Sequence, residues 1–297
     1  MKTFGDILYE RISNSRSSLF LQGEVAQLTF QAFHKYVEII NETKDEVIEV
    51  TYPVGYTPDN KPINSTHKYS KQDLIERYNF LALNQLPINA IYQLVTTTEA
   101  LLGDILRETL LEFPTKISNK RKLDAEVVLN ATSLDQIKVS IVNSILNELA
   151  YKSPRDFAEE FNKYIGINLL EKPTFHKYIE LKATRDIYIH NQGIANEIYL
   201  IKADTLARVK SGQFLPVDIQ YFLQSYECCL QITEILEESL HKIWPSPEYV
   251  KNKNINIDQE KKSAIDDAIE HAEIVEDKIE VKKAIKKKPK KTTSEKK

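Results

Sequence analysis

The chain has 297 residues, of which 42% are apolar and 28% charged, proportions typical of a protein that folds around a buried core. Only 7 glycines and 11 prolines occur, and this scarcity of helix breakers favours long helices over a turn-rich β fold. The sequence has neither an 18-residue apolar run nor an apolar leader segment, so no membrane span and no signal peptide are expected.

The net charge of −3 is unevenly distributed. Nine lysines and one glutamate between Lys282 and Lys297 give the tail +8, which leaves −11 on the preceding 281 residues. Such an acidic body argues against a broad nucleic-acid-binding surface, although it permits a local basic pocket.

The sequence contains few cysteines and no recognisable metal-binding motif. Cys228 and Cys229 are the only cysteines, and their adjacency in a helical pattern favours two reduced core thiols in a cytoplasmic protein. Zinc-ligand spacing, Gly-rich phosphate loops and nucleophile elbows are absent from the sequence. We therefore expect neither a metal nor a cofactor.

Residues 1–71 are predicted to form an N-terminal region of mixed secondary structure. Apolar spacing from Val25 to Ile40 predicts a helix, and the alternating β-branched stretch from Glu46 to Tyr52 predicts a strand or a hairpin edge. Gly, Pro, Asn, Asp and Ser dominate from Pro53 to Ser70, which predicts an exposed loop.

Residues 72–246 form the predicted helical domain. Apolar residues recur at three- and four-residue spacing from Ile88 to Leu106, with Pro114 marking the end of that helix. Further helices are predicted through Ile137–Leu149, after Pro154, from Pro173 to a stop at Gly193, and from about Pro216 to Ile243. The sequence therefore predicts an all-α fold.

Residues 247–297 are predicted to contain an acidic amphipathic helix and a disordered, flexible, lysine-rich tail. The helix has a thin apolar seam, which suits either a solvated helix or a docking helix for a partner. The lysine run could bind RNA electrostatically or simply keep the protein soluble. The apolar seam comprises Ile265, Ala268, Ile269, Ala272, Val275 and Ile279.

The helix after Pro173 carries an Arg-x4-His motif, formed by Arg185 and His190. Alone this spacing is a weak indicator, but here it lies at the end of a helix, between two long amphipathic helices. From about Tyr78 to Trp244 the chain resembles the HEPN superfamily, whose Arg-polar-x3-His pattern matches Arg185, Asp186 and His190. The polar-glycine turn after the histidine and the first long helix strengthen the resemblance.

The resemblance implies a HEPN-type helical bundle. It is strongest to stand-alone bacterial members, found in toxin–antitoxin and antiviral defence settings, which implies a metal-independent endoribonuclease that acts on RNA as a homodimer. An antitoxin or defence-system protein is then an expected partner. Other members are catalytically silent scaffolds, and this alternative stays open. One departure is Gln192, which replaces a tyrosine that follows the histidine in members paired with a nucleotidyltransferase antitoxin, so regulation through that tyrosine is not expected.

The residue chemistry agrees with RNA cleavage. The substrate 2′-hydroxyl is the nucleophile, the His190 imidazole is suited to proton transfer near neutral pH, and the Arg185 guanidinium matches phosphate oxygens. Five residues turn a helix by about 500° and advance it about 7.5 Å, so Arg185 and His190 do not share a narrow face. We therefore expect a two-fold dimer to complete the cleft. The alternative is a structural Arg/His pair.

Three further side chains are candidate supports for the motif. Asp186 either orients Arg185 or is an exposed helix acid, and Asn191 either caps the helix or contacts RNA. Glu99 falls on the apolar stripe between Val95 and Leu102, where a carboxylate is costly unless it is paired. We expect Glu99 to pair with Arg185, the alternative being a position at the edge of the stripe in water.

Overall fold

The computed structural model describes residues 2–118 and 125–254. Within these ranges the chain is predominantly α-helical, with one two-stranded sheet, which confirms the predicted fold class. The helices are α1 (Phe4–Glu42), α2 (Lys71–Phe80), α3 (Leu86–Glu112), α4 (Ala125–Leu129), α5 (Leu134–Ala150), α6 (Pro154–Ile165), α7 (Pro173–Asn191), α8 (Glu197–Ala203) and α9 (Ile219–Ile243). A last helical segment spans 247–254.

The core lies between α1, α3, α7 and α9, with α5 and α6 packed against α3. Apolar side chains from these helices form one buried cluster, and α3 contributes its stripe almost continuously from Ala90 to Leu110. Leu8, Ile12 and Leu19 of α1 are buried in the same cluster, so the helix predicted within the mixed N-terminal region reaches into this core. Cys228 and Cys229 are both free and buried, as expected of core thiols.

Helix α1 is longer than its apolar stripe predicts, because it begins at a strong N-terminal cap. Thr3 and Asp6 form a reciprocal capping box, and Asp6 also accepts a hydrogen bond of 2.6 Å from the Ser246 hydroxyl. Gly5 allows the backbone after α9 to approach closely, since a Cβ at Gly5 would lie 2.4 Å from the Trp244 carbonyl oxygen. The start of α1 is thereby fixed to the end of α9.

The prediction of an exposed loop from Pro53 to Ser70 is wrong. Strand β1 (Val47–Tyr56) continues through Pro53, and β2 (Pro62–Ser70) pairs with it antiparallel, with Val50 opposite His67 and a register shift between Pro53 and Gly55. Both faces of this hairpin are largely solvent-exposed, so β2 has no apolar alternation that the sequence could reveal. The turn residues are confined to a short connection at Thr57–Lys61.

The predicted amphipathic seam between 265 and 279 and the predicted lysine-rich tail lie outside the described residues. In the described part of the chain, no helix is both long and apolar enough to cross a membrane.

Candidate functional site

The motif helix α7 ends in a tight left-handed turn. Gln192 and Gly193 have φ of 51° and 81°, and the Gly193 amide donates to the Ile187 carbonyl at 3.3 Å. A Cβ at Gly193 would lie 2.8 Å from the ring of Phe214, so this position also requires glycine for space. The predicted stop at Gly193 therefore follows from both backbone geometry and close packing.

Asn191 stabilises this turn. Its side-chain amide donates to the Ile194 carbonyl, and the Ile194 amide donates back to the Asn191 carbonyl at 2.9 Å. The capping role expected for Asn191 is the one that these contacts support. The turn is also held against the segment that precedes α9, because the Leu215 amide donates to the Gly193 carbonyl at 2.8 Å.

Glu99 of α3 pairs with Arg185, as expected from its position on the apolar stripe. Arg185 Nη2 donates to Glu99 Oε2 at 2.8 Å, and Lys182 Nζ contacts the other oxygen of the same carboxylate. Glu99 therefore bridges two cations of α7, which explains how a carboxylate is tolerated on this stripe. Glu99 is thus paired, although a third of its side chain remains exposed to solvent.

Asp186 lies on the other side of Arg185. Its Oδ1 is 3.5 Å from Arg185 Nε, in ion-pair range but without hydrogen-bond geometry, and its Oδ2 accepts from Lys202 Nζ of α8 at 2.9 Å. The side chain of Asp186 is one-quarter exposed, so it is not a free surface acid. Asp186 is placed to orient Arg185, which is one of the two roles considered for it.

These contacts form a continuous row of charges in the order Lys182, Glu99, Arg185, Asp186 and Lys202. Three cations against two carboxylates leave the row with a net charge of +1, on a chain whose body is otherwise acidic. Among the described residues, Nη2 donates to Glu99 and Nε is buried without a hydrogen-bond partner, so Nη1 is the Arg185 nitrogen left to donate to an oxyanion.

His190 lies one helical turn beyond Asp186, at the exposed end of α7. Its side chain is solvent-exposed, and its ring makes no hydrogen bond to the other described residues. The Arg185 side chain is 19% exposed, so neither member of the motif is sealed inside the protomer. The two side chains still point in directions about 140° apart, as the helix geometry dictates.

A cavity of about 400 Å³ opens beside this charge row, between α3, α5, α6 and α7. Glu99 and Lys182 form part of its wall, and Phe157 and Phe175 supply apolar surface. The Tyr178 hydroxyl also belongs to this wall, is buried, and has no hydrogen-bond partner. The charge row thus borders a concave surface with both apolar and polar groups.

A second network, which sequence reasoning missed, supports α7 from its buried side. Glu180 is 5% exposed, and its carboxylate accepts hydrogen bonds from the Tyr199 hydroxyl at 2.9 Å, Arg208 Nε at 3.0 Å and the Tyr221 hydroxyl at 2.7 Å. Burial, reinforced by the Glu180 charge, raises the pKa of Tyr199 to about 12 and that of Tyr221 well above its ordinary value. This network fixes α8 and the loop before α9 against the motif helix.

The described residues hold no group of three or more His, Cys, Asp or Glu side chains arranged to bind a metal ion. Comparison of the chain with protein-family models, curated proteins and solved structures found no match in any of the three.

Proposed function

We propose that this chain is a HEPN-type, metal-independent endoribonuclease that acts as a homodimer in the cytoplasm, as a toxin or antiviral-defence effector. The observation that carries the proposal is an exposed His190 on the same helix as an Arg185 that Glu99 holds by one nitrogen only. An accessible proton carrier and a positioned guanidinium are the two groups that phosphodiester cleavage without a metal requires.

In the proposed reaction the substrate 2′-oxygen attacks the adjacent phosphorus, and the bond from phosphorus to the 5′-oxygen breaks. The 2′-hydroxyl loses its proton as the 5′-oxygen gains one; His190 carries one of these two transfers and water the other, and Arg185 stabilises the charge on the non-bridging oxygens. The products are a 2′,3′-cyclic phosphate and a 5′-hydroxyl. Lys182 and Lys202 add positive charge near the phosphate, although each is already paired with a carboxylate.

The homodimer is proposed because one α7 directs Arg185 and His190 to different sides. Two helices related by a two-fold axis would offer one phosphate an arginine and a histidine from each. In support, Ile189 of α7 and Ile198 and Ile201 of α8 are exposed apolar side chains near this end of the motif helix.

The test is cleavage of total RNA by the purified full chain in excess EDTA. We expect wild type to cleave, and His190→Ala and Arg185→Ala to lose at least about 100-fold in rate. His34→Ala is the matched control, since His34 is an exposed helix histidine away from the motif, and it should cleave normally. In a bacterial host, wild type should slow growth and His190→Ala should relieve the effect.

A catalytically inactive HEPN scaffold is the second candidate, and one observation favours it. Arg185 is flanked by Glu99 and Asp186, so much of its charge is already compensated within the protomer. A scaffold would leave RNA intact at all concentrations, and wild type and His190→Ala would be equally harmless to a host. Either result would remove the nuclease proposal.

A further inference from the structure

The cavity between α3, α5, α6 and α7 has the size of a small-molecule binding site. Its volume is about 400 Å³, which lies within the range of pockets that bind small organic ligands. Three features of its wall, contributed by Gly103, Arg107 and Tyr178, are not explained by packing within the protomer. Together they indicate the chemistry of an occupant.

The first feature is Gly103, in the interior of α3, where glycine is an unfavourable residue. A Cβ at Gly103 would meet no neighbouring atom of the described residues within 4 Å, whereas a Cβ at Gly193 would lie 2.8 Å from Phe214. Packing therefore does not require glycine at position 103. Gly103 lines the cavity, so the α3 backbone is left open to it. A flat group can lie directly against the helix at this point.

The second feature is Arg107, which lies one helical turn after Gly103 on the same face of α3. Arg107 is partly buried and lines the cavity. Its Nη1 donates to the side-chain oxygen of Asn143 at 2.5 Å, and it forms no ion pair with a carboxylate of the described residues. Asn143 thus orients a guanidinium whose other nitrogens are available to an anion.

The third feature is Tyr178 of α7, which is 2% exposed and also lines the cavity. Its buried hydroxyl has no hydrogen-bond partner in the part of the chain that the structure describes. Native proteins rarely leave a buried hydroxyl unpaired, because the unmade hydrogen bond is costly. Burial, reinforced by the Glu99 charge, raises the pKa of Tyr178 well above its ordinary value, so the hydroxyl keeps its proton and remains a donor.

The remaining wall is largely apolar, with a small excess of positive charge. Its other cations, Lys152 and Lys182, are each paired with a carboxylate. Asp104 is the one acidic group of the wall besides Glu99, and its charge also acts on Arg11 of α1. Arg107 is therefore the wall cation that has no carboxylate partner among the described residues. The apolar surface comes from Leu102, Leu146, Leu149, Ala150, Phe157 and Phe175.

We propose that this cavity binds a small organic anion with a flat apolar body. The anionic group pairs with the Arg107 guanidinium, and the flat body lies against the backbone at Gly103, between apolar side chains. Glu99, Gly103 and Arg107 follow one another at four-residue spacing and span about 12 Å of the α3 axis. A carboxylate carried on two fused aromatic rings is short enough to fit within this length.

The proposed site adjoins the charge row. Glu99 and Lys182 belong both to the row and to the cavity wall, so an occupant lies close to the carboxylate that holds Arg185. The inference does not require the ribonuclease proposal to hold, because binding to the cavity is measured in the absence of RNA.

The test is calorimetric titration of the full chain with 2-naphthoate and with its neutral isostere 2-naphthamide. Wild type should bind naphthoate, and should bind naphthamide at least about 10-fold more weakly, because naphthamide lacks the charge that pairs with Arg107. Arg107→Gln should weaken naphthoate binding by at least about 10-fold and abolish the difference between the two probes. Arg155→Gln is the matched control, since Arg155 pairs with Asp204 and does not line the cavity, and it should bind as wild type does.

Gly103→Leu tests the space itself. Leucine favours a helix and its side chain would enter the cavity, so the variant should unfold at a temperature no lower than wild type and lose binding of both probes. Gly103→Ala adds only a Cβ and should be at least as stable as wild type while retaining measurable binding.

Two results would overturn the proposal. One is a wild-type chain that binds neither probe at millimolar concentration. The other is binding of naphthoate that Arg107→Gln and Gly103→Leu leave unchanged, because the probe would then occupy another site, such as the apolar cavity around Phe30. If Gly103→Leu fails to fold, the comparison of the two probes on Arg107→Gln decides between these outcomes.

Discussion

Glu99 and Arg185 lie 86 residues apart in sequence, yet the carboxylate of one accepts a hydrogen bond of 2.8 Å from the guanidinium of the other. The pair links α3 to the motif helix at the point where the charge row begins. Because Lys182 shares the same carboxylate, Glu99 determines where two of the three cations stand. The position of Arg185 is therefore set from α3 as well as from its own helix.

Replacing this carboxylate should affect cleavage much more than stability. We expect Glu99→Gln to lower the rate of RNA cleavage by about 10–100-fold, because Arg185 loses the partner that orients it. The free energy of unfolding should change by no more than about 1 kcal/mol, since Glu99 is 33% exposed and the pair is screened by water.

Glu108→Gln is the matched control for this experiment. Glu108 is also on α3 and pairs with Arg11 at 2.7 Å, away from the motif. It should change stability by a similarly small amount and leave cleavage unchanged. Equal rates for wild type and Glu99→Gln, measured under the same conditions, would remove the positioning role.

Stability should fall in alkaline solution between about pH 10 and pH 12. The pKa of Tyr199 is raised from 10.0 to about 12 by burial and by the Glu180 charge, so the folded state holds this proton more tightly than the unfolded state. Its contribution, on the order of 2 kcal/mol, is complete below pH 10 and is lost as the pH rises through the folded value. Urea unfolding at several pH values measures this loss.

Tyr199→Phe tests whether Tyr199 causes this loss of stability at alkaline pH. It should be less stable than wild type at neutral pH, because Glu180 and the Arg208 amide both lose a hydrogen-bond partner. Between pH 10 and pH 12 its stability should fall less steeply than that of wild type. An unchanged slope would show that other groups, such as Tyr221, dominate this titration.

Low pH should weaken the contact between the start of α1 and the residues that follow α9. The Ser246 hydroxyl, followed by the Thr3 and Glu248 amides, lowers the pKa of Asp6 from 3.8 to about 2 against the opposing effect of burial. The stabilisation is present above about pH 4 and is lost as the pH falls through the folded value, at a cost on the order of 1–2 kcal/mol. Asp6→Asn should be less stable at pH 7 and should lose less on acidification, as followed by thermal unfolding.

Gly193→Ala should disturb the turn that follows His190. The substitution combines a left-handed φ of 81° with a Cβ only 2.8 Å from the Phe214 ring, so we expect a loss of more than about 2 kcal/mol. Gly166→Ala is the control, because Gly166 has a φ of 88° but open space around its Cβ position. The control should show the backbone cost alone, about 1 kcal/mol. Equal losses in chemical denaturation would exclude a role for the contact with Phe214.

Sequence periodicity was sufficient to predict the elements that bury a continuous apolar stripe. The stripes of α3, α5 and α9 predicted helices that the structure contains, and Gly193 predicted the end of the motif helix. The Glu99–Arg185 pair could also be predicted, because a carboxylate on an apolar stripe needs a cation. These predictions depend on the local spacing of residues or, for Glu99, on one charged residue within an apolar stripe.

The remaining features depend on tertiary contacts that leave little trace in the sequence. Strand β2 is polar on both faces, so its pairing with β1 follows from backbone hydrogen bonds and from the turn. Lys202 reaches Asp186 from the short helix α8, and Arg208 reaches Glu180 from an irregular segment. Neither cation follows a periodic pattern that would have connected it to the motif.

The β1–β2 hairpin offers a position where foreign sequence can be introduced. Its turn closes through the Thr57 amide donating to the Lys61 carbonyl at 2.9 Å, and Asn60 at the tip has a φ of 64°. The ribbon is almost wholly solvent-exposed, and its base adjoins α2, so its tip is independent of the bundle core. A fluorophore or an affinity peptide inserted at Asp59–Asn60 should therefore report on the folded protein without altering its packing.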